Sequence, residues 1–105
     1  MKTVKNDDDY NNIINQKKPI LLDFYADWCG PCQSLLPIVE KLSKEYEGKI
    51  EIQKVNVDEN PGLANKYRVR NIPALYFIKE SVMVDKVIGL ASESELREKL
   101  DAMLN

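Results

Sequence analysis

The stretch "DFYADWCGPCQSLLP", residues 23–37, holds both cysteines of the chain and its only tryptophan. It joins a nearly continuous apolar run, "ILLDFYA" at 20–26, to a segment with helical periodicity. An apolar run of this kind is typical of a strand that is covered on both faces of its sheet. Its only charged residue is Asp23. The stretch therefore predicts a buried strand followed at once by a helix, with Cys29 and Cys32 at their junction.

The other segments alternate between strand and helix patterns, in the order β-α-β-α-β-α-β-β-α. The first predicted helix has acids at its start and lysines at its end, which suits the helix dipole. Strands are predicted at 2–5, 20–26, 49–57, 74–79 and 82–88. Helices are predicted at 7–18, 31–46, 60–67 and 92–104.

Two of the helix starts carry capping signals. Asn60 is a candidate N-cap that is followed by Pro61 at the first helical position. Ser92 and Glu95 have the spacing of a capping box. The last helix that follows has an apolar stripe formed by Leu96, Leu100, Met103 and Leu104.

Strand–helix–strand units imply parallel pairing through right-handed crossovers. The last two strands lie only two residues apart and predict an antiparallel hairpin. We therefore predict an α/β fold with a central mixed five-stranded sheet, made of a parallel core plus a C-terminal antiparallel hairpin and flanked by four helices on both faces. The length of 105 residues suits one domain over residues 1–105.

Charge and composition narrow the functional classes. The net charge is −2 without any basic stripe, so no nucleic-acid partner is predicted. No apolar segment is long enough for a membrane span, and the N-terminus lacks the apolar region of a secretory signal. These features favour the cytoplasm. A reducing compartment disfavours structural disulfides and favours a catalytic or metal-binding role for a close cysteine pair.

Three roles are open to the cysteine pair. A staple that closes so short a loop yields only about 2 kcal/mol in the chain-entropy model. A structural zinc site needs four nitrogen or sulfur ligands, whereas the chain offers two thiols and no histidine. Reversible dithiol chemistry needs only two sulfurs within bonding reach and one of them ionised. We favour the third role and predict no metal site.

The residues between the cysteines support dithiol chemistry. Cys29 stands where the helix begins, and helix-start amides lower the pKa of a thiol. Cys32 lies three residues on, on the same side of the first turn. Gly30, without a side chain, permits a close approach at the cysteines. Pro31 has no backbone N–H, but at the first helical turn an N–H would have no partner inside the helix.

These residues make the chain resemble the thioredoxin family. The motif "WCGPC" at 28–32 matches the active-site motif of that family residue for residue. The likeness extends through "DFYADWCGPC", then "KVNVDENPGLANKYRVRNIP" at 54–73, and then Gly89 before the last helix. A cysteine pair with two intervening residues is a weak signal alone, but this combination is specific.

The resemblance implies a role for each matching position. Cys29 resembles the exposed nucleophile and Cys32 the more buried resolving thiol. Asp23 resembles a buried carboxylate that assists proton transfer at the resolving thiol. The other positions that match are Lys54 near that carboxylate, Gly30 and Pro31 within the motif, Ile72 and the cis-bonded Pro73 against the disulfide, and Trp28 and Gly89 beside the client groove.

The implied function is that of a protein-disulfide reductase acting on oxidised client proteins. It would act as a monomer without a bound cofactor, and a thioredoxin reductase that draws on NADPH would re-reduce it. An oxidase or isomerase on the same fold, and a binding module with incidental thiols, remain alternatives. The chain departs from the family pattern in a terminal hairpin without glycine, and at Arg68 and Asn71, where smaller residues are common.

Overall fold

The computed structural model describes all 105 residues and contains five strands and four helices. The strands are β1 (Lys2–Val4), β2 (Ile20–Tyr25), β3 (Glu51–Asn56), β4 (Ala74–Lys79) and β5 (Val82–Ile88). The helices are α1 (Asp7–Ile14), α2 (Gly30–Glu45), α3 (Pro61–Lys66) and α4 (Glu93–Met103).

The strands form one mixed sheet in the order β1-β3-β2-β4-β5. Strands β1 and β2 pair with β3 in parallel, whereas β4 pairs antiparallel with both β2 and β5. All six residues of the central strand β2 are buried, as its apolar sequence predicts. The predicted fold class, a mixed five-stranded sheet with four helices, is confirmed.

One strand–helix–strand unit differs from the prediction of parallel pairing. Helix α3 has only six residues, which give it a length of about 9 Å, whereas a six-residue strand such as β3 spans about 20 Å. The helix is therefore too short to return the chain along the whole sheet. As a result β4 starts near the end of the sheet where β3 finishes, and it runs antiparallel to β2.

Two apolar layers cover the sheet. The layer beneath α2 and α4 contains the buried apolar side chains of those two helices, and the layer beneath α1 and α3 contains a cluster of aromatic rings. Buried helix residues of the first layer are Leu35, Val39, Leu42, Leu96, Leu100 and Met103. Those of the second layer are Tyr10, Ile13 and Leu63. Because helices pack on both faces, the active-site end of β2 is fixed from above and below.

Some predicted element boundaries are wrong. Helix α1 ends at Ile14, before the lysines that were predicted to complete its last turn. Asn60 is the N-cap residue of α3, but its side chain caps no N–H and instead donates to the carbonyl oxygens of Val4 and Asn56. Leu104 follows the end of α4 and is 42% exposed, so it does not belong to the buried stripe.

No helix qualifies as a membrane span. The longest, α2, has 16 residues, fewer than the about 20 that a bilayer core requires.

The hairpin between β4 and β5 turns without glycine. Its two central residues, Glu80 and Ser81, have φ values of +53° and +65°. Positive φ at both central positions is the signature of a type I′ turn, which normally favours Asn-Gly because other side chains are strained there. The Ser81 hydroxyl donates to the carbonyl oxygen of Ile14 at 3.2 Å, and this bond holds the turn against the end of α1.

Relieving the strain in this turn is expected to stabilise the protein. The double substitution Glu80→Asn and Ser81→Gly should raise the free energy of unfolding by about 1 kcal/mol, because Asn-Gly adopts positive φ at little cost and this gain exceeds the loss of the hydrogen bond from Ser81 to Ile14. Urea denaturation measures the change. The matched control, Glu80→Ala with Ser81→Ala, keeps the strain and should give no gain. An equal gain in both variants would contradict this account.

Candidate active site at the start of α2

The two cysteines lie in the first turn of α2 and are joined by a disulfide, with their Cα atoms 5.3 Å apart. Cys29 is the N-cap residue, and its extended backbone ends the segment that follows β2. The Cys29 Sγ accepts a hydrogen bond from the backbone N–H of Cys32 at 3.2 Å. Gly30 and Pro31 are the first two helical residues, where an amide N–H has no partner inside the helix.

This cap geometry differs between the two sulfurs. An N-cap side chain receives the free amides of the helix start, and the helix dipole favours negative charge there. A thiolate at Cys29 in the reduced protein would therefore be stabilised by the amide that now contacts its sulfur. Cys32, inside the helix, has no comparable position.

Both sulfurs are less accessible than the resemblance implies. The expectation of an exposed nucleophile is wrong for the disulfide form, since Cys29 is 5% exposed and Cys32 is 1% exposed. Ile72 and Val57 pack against the small cluster that holds the two cysteines. The remaining accessible surface lies mainly on Cys29, so the order of accessibility within the pair is the implied one.

The chain segment before β4 lies against the disulfide. The Ile72–Pro73 peptide bond is cis. The carbonyl oxygen of Ile72 lies 3.7 Å from the Cys29 Sγ, which carries no hydrogen in the disulfide and so makes a contact rather than a hydrogen bond. Gly89, at φ +92°, donates its N–H to the carbonyl oxygen of Pro73 at 2.8 Å. The positions 72, 73 and 89 are thus brought together beside Cys29.

Trp28 lies next to the cysteines and is 73% exposed. Its indole Nε1 donates to the Asp58 Oδ2 at 2.8 Å. The loop that carries Asp58 is held by Asn56, whose side-chain oxygen accepts from the backbone N–H groups of Asp58 and Glu59. Sequence reasoning missed both Asp58 and Asn56. The only signal for them was the polar sequence "NVDEN" at 56–60, where a predicted strand ends.

Asp23 is buried in the middle of β2 and is only 1% exposed. Neither carboxyl oxygen has a hydrogen-bond partner in the protein. Burial disfavours the charged form and raises the pKa of Asp23 from 3.8 to about 7, although the charge of Lys54 opposes the rise. Alternation along β2 places Asp23 on the same sheet face as Leu21, which packs beneath α2. The carboxyl group therefore lies in the layer that the helix of the cysteines covers.

Lys54 is the cross-strand neighbour of Asp23 in the parallel pair of β2 and β3. Its Nζ also lies 5.4 Å from the centre of the Tyr25 ring, a distance that allows a cation–π interaction. Lys54 is therefore the nearest positive charge that the strands provide to the buried carboxyl group.

Removing the charge of Lys54 is expected to raise the pKa of Asp23 above about 7, because the cation stabilises the ionised carboxylate. The substitution Lys54→Met keeps a long apolar stem, and NMR titration of the Asp23 carboxyl carbon measures the pKa. Lys44 is an exposed lysine at the end of α2, and Lys44→Met is the matched control. It should leave the pKa of Asp23 unchanged. A lowered pKa in Lys54→Met would refute this role.

The largest cavity does not coincide with the cysteines. It has a volume of about 680 Å³ and opens at the opposite end of the sheet, between Met1, the start of β3 and the end of α2. No cluster of three or more His, Cys, Asp or Glu side chains is suited to hold a metal ion.

Comparisons with known proteins give the family. A family model described as Thioredoxin matches residues 1–102. The chain is 43% identical over 99 residues to a chloroplastic M-type thioredoxin of Pisum sativum, a match that covers 93% of this chain and 58% of that protein. It is 44% identical over 89 residues to a thioredoxin of Chlorobaculum thiosulfatiphilum, covering 85% of this chain and 82% of that protein.

Solved structures agree with this. A mutant thioredoxin from Halobacterium salinarum NRC-1 superimposes with a TM-score of 0.90 at 35% identity, covering 99% of this chain and 90% of that one. A thioredoxin of Malassezia sympodialis gives a TM-score of 0.91 at 29% identity, covering all of this chain and 91% of that one. The family match and the close cysteine pair lead to one conclusion: the chain belongs to the thioredoxin family, as a protein-disulfide reductase that works by thiol–disulfide exchange.

Proposed function

We propose that Cys29 is the nucleophile and Cys32 the resolving thiol of this reductase. In the first step the Cys29 thiolate attacks one sulfur of a client disulfide, and the other client sulfur leaves as a thiolate that takes up a proton. In the second step the Cys32 thiolate attacks Cys29 in the mixed disulfide and releases the second client thiol. Two electrons pass to the client, and the Cys29–Cys32 disulfide remains.

The hydrogen bond from the Cys32 N–H to the Cys29 Sγ is the observation that carries this assignment. It belongs to the N-cap position, where a negative charge is stabilised, so Cys29 is the thiol whose ionised form the helix start favours. The accessible surface of the pair also lies mainly on Cys29. The closeness of Cys32 makes the second step intramolecular and therefore fast.

We assign Asp23 as the group that takes the proton from Cys32 before the second attack. A carboxyl group with a pKa of about 7 can accept and return a proton at neutral pH. Lys54 tunes that pKa through its charge. Gly30 and Pro31 shape the first helical turn, in which the two sulfurs meet.

Clients are proposed to bind as extended segments between Trp28, Ile72, Pro73 and Gly89. The backbone of 72–73 lies against Cys29 and can pair with the backbone of a client. Trp28 supplies exposed apolar surface on the other side of the cysteines, and Asp58 fixes its orientation.

The electron supply and cellular setting follow from the reaction. We propose that residues 1–105 act as one domain and as a monomer, without a bound cofactor, and that a thioredoxin reductase returns the disulfide to the dithiol with electrons from NADPH. A reductase of this kind needs a reducing compartment, and we propose the cytoplasm. A chloroplast is the second candidate, because one relative is named chloroplastic.

The equilibrium potential of the Cys29–Cys32 pair against glutathione tests the direction of the reaction. A reductant should equilibrate well below the potential of the glutathione couple, whereas an oxidase or isomerase should lie near or above it. A companion assay follows NADPH consumption with thioredoxin reductase and a protein disulfide. A pure binding module would not accelerate that consumption, and an oxidising potential would overturn the reductant role.

A further inference from the structure

Three cations lie on the chain segment that precedes Ile72 and Pro73 of the proposed client groove. Lys66, Arg68 and Arg70 line a cavity of about 540 Å³ together with Asn65 and Val69, and no acidic residue lines it. All three cations are exposed, and none of them takes part in an ion pair. In a chain with a net charge of −2, this is a local concentration of unpaired positive charge.

The segment that carries the cations leads directly into Ile72, the residue whose carbonyl oxygen contacts Cys29. Arg70 precedes Ile72 by two residues, and the carbonyl oxygen of Ile72 is 3.7 Å from the Cys29 Sγ. Two consecutive Cα steps span at most about 8 Å, which an extended arginine side chain can bridge. Lys66 is further back, at the end of α3, and its Nζ lies 5.0 Å from the centre of the Tyr10 ring.

Arg68 follows the C-cap of α3 and has a φ of +55°, a conformation that glycine usually adopts at a helix end. The Arg68 N–H donates to the carbonyl oxygen of Asn65, and the Val69 N–H donates to that of Ala64, which are the two bonds of a Schellman motif. This helix end accounts for the positive φ. It places an exposed cation where glycine is usual.

Acidic side chains lie beside Trp28. Asp27 precedes Trp28 in the chain, and Asp58 accepts the indole hydrogen bond. Both aspartates are exposed. In the proposed client groove, which includes Trp28 and Ile72, an extended client segment would pass acidic side chains at Trp28 and basic side chains before Ile72.

We infer that Arg68 and Arg70, supported by Lys66, form a basic rim that selects client disulfides with acidic residues next to one cysteine. The inference rests on the proposed reductase function. The rim attracts an acidic flank during the encounter and aligns it along 70–72, so the rate of attack by Cys29 increases. Because these charges are exposed, salt must weaken the selection.

The test uses three synthetic peptides, each with one internal disulfide and with flanks of glutamate, glutamine or lysine. The fully reduced protein is mixed with each peptide, and the second-order rate of reduction is measured at low salt and at about 1 M salt. We expect the wild type to reduce the glutamate peptide about tenfold faster than the glutamine peptide at low salt, and the lysine peptide most slowly. At high salt the ratio should fall to about two or less.

The variant that tests the rim is the double substitution Arg68→Gly and Arg70→Gln. Glycine suits the positive φ, so the thermal midpoint should stay the same or rise. We expect the low-salt ratio of the glutamate to the glutamine peptide to fall to about two. Lys49→Gln is the matched control, because Lys49 is an exposed lysine just before β3, at the other end of the sheet. It should keep the wild-type ratio.

Three results would overturn the inference: a wild type that does not discriminate between the peptides, a ratio that survives the double substitution, and an equal loss in Lys49→Gln. Reduction of none of the peptides by the wild type would be a different failure, since it would refute the proposed reductase function itself.

Discussion

Cys29→Ser is expected to abolish the reduction of client disulfides, with a rate at least about a thousandfold below that of the wild type. A serine hydroxyl does not ionise near neutral pH, so the helix-start amide that contacts position 29 has no thiolate to stabilise. Following the release of thiols from a disulfide peptide measures the rate, and the unfolding curve of the reduced variant checks that it is folded.

Cys32→Ser should give a different result, because the first attack survives and the second is blocked. The variant should accumulate one mixed disulfide per chain, visible by non-reducing mass spectrometry and reversed by dithiothreitol. The double variant with Cys29→Ser and Cys32→Ser is the control and should form no adduct. An adduct that forms through Cys32 in Cys29→Ser, and not in Cys32→Ser, would reverse the assigned order of attack.

The sequence predicted those features of the site that depend on residues close together in the chain. The junction between β2 and α2 depends on neighbouring residues, namely an apolar strand, a cap position and a proline in the first helical turn. These signals act within a few residues, so they can be recognised without knowledge of the fold. The burial of Asp23 could also be predicted, because apolar residues surround it on β2 and the strand is central.

Features that depend on distant pairs were not predicted. The hydrogen bond from Trp28 to Asp58 joins residues 30 positions apart, and nothing in either segment signals the other. The antiparallel direction of β4 depends on the short length of α3 relative to the sheet rather than on any residue of β4. The hairpin without glycine was predicted, but the positive φ values of Glu80 and Ser81 were not, because the contact of Ser81 with Ile14 of α1 joins residues far apart in sequence.

The pKa of Asp23 combines both kinds of information. Burial alone predicts that the pKa of Asp23 is raised. The size of the rise depends on the lack of any hydrogen-bond partner and on Lys54 across the strand pair. Pairing register cannot be determined from one strand alone. Asp23 is a buried carboxyl group without the partner that such groups usually have. The sequence predicts that its pKa is raised, and the structure shows how far.

Asp23→Asn is expected to stabilise the protein at alkaline pH and to leave its stability nearly unchanged near pH 4. The carboxyl pKa is about 7 in the folded protein and 3.8 ordinarily. Between these values the unfolded chain has released the proton while the folded protein keeps it, so the folded state binds more protons and its stability falls as the pH rises. The total loss is about 4 kcal/mol, complete above about pH 8.

Asparagine has no charge to desolvate, so the variant should avoid this loss and exceed the wild type by up to about 4 kcal/mol at pH 8. Urea denaturation of the oxidised protein between pH 4 and pH 8 measures the difference. Asp27→Asn, at an exposed carboxylate two residues beyond β2, is the matched control and should show no comparable dependence on pH. An equal gain at pH 4 and pH 8 would mean that ionisation of Asp23 is not the cause.

Asp23→Asn should also slow the second step of the proposed reaction, in which Cys32 attacks the mixed disulfide. Without a proton acceptor at position 23, Cys32 loses its proton less readily, so release of the client from the mixed disulfide should slow by about a hundredfold at pH 7. The rate of formation of the mixed disulfide should change far less, because Cys29 ionises through the helix start. Rapid-quench measurement of the two steps separates them. Equal slowing of both would show that Asp23 acts on Cys29 or on the fold, and a stable variant with normal release would show that the buried acid has no catalytic role.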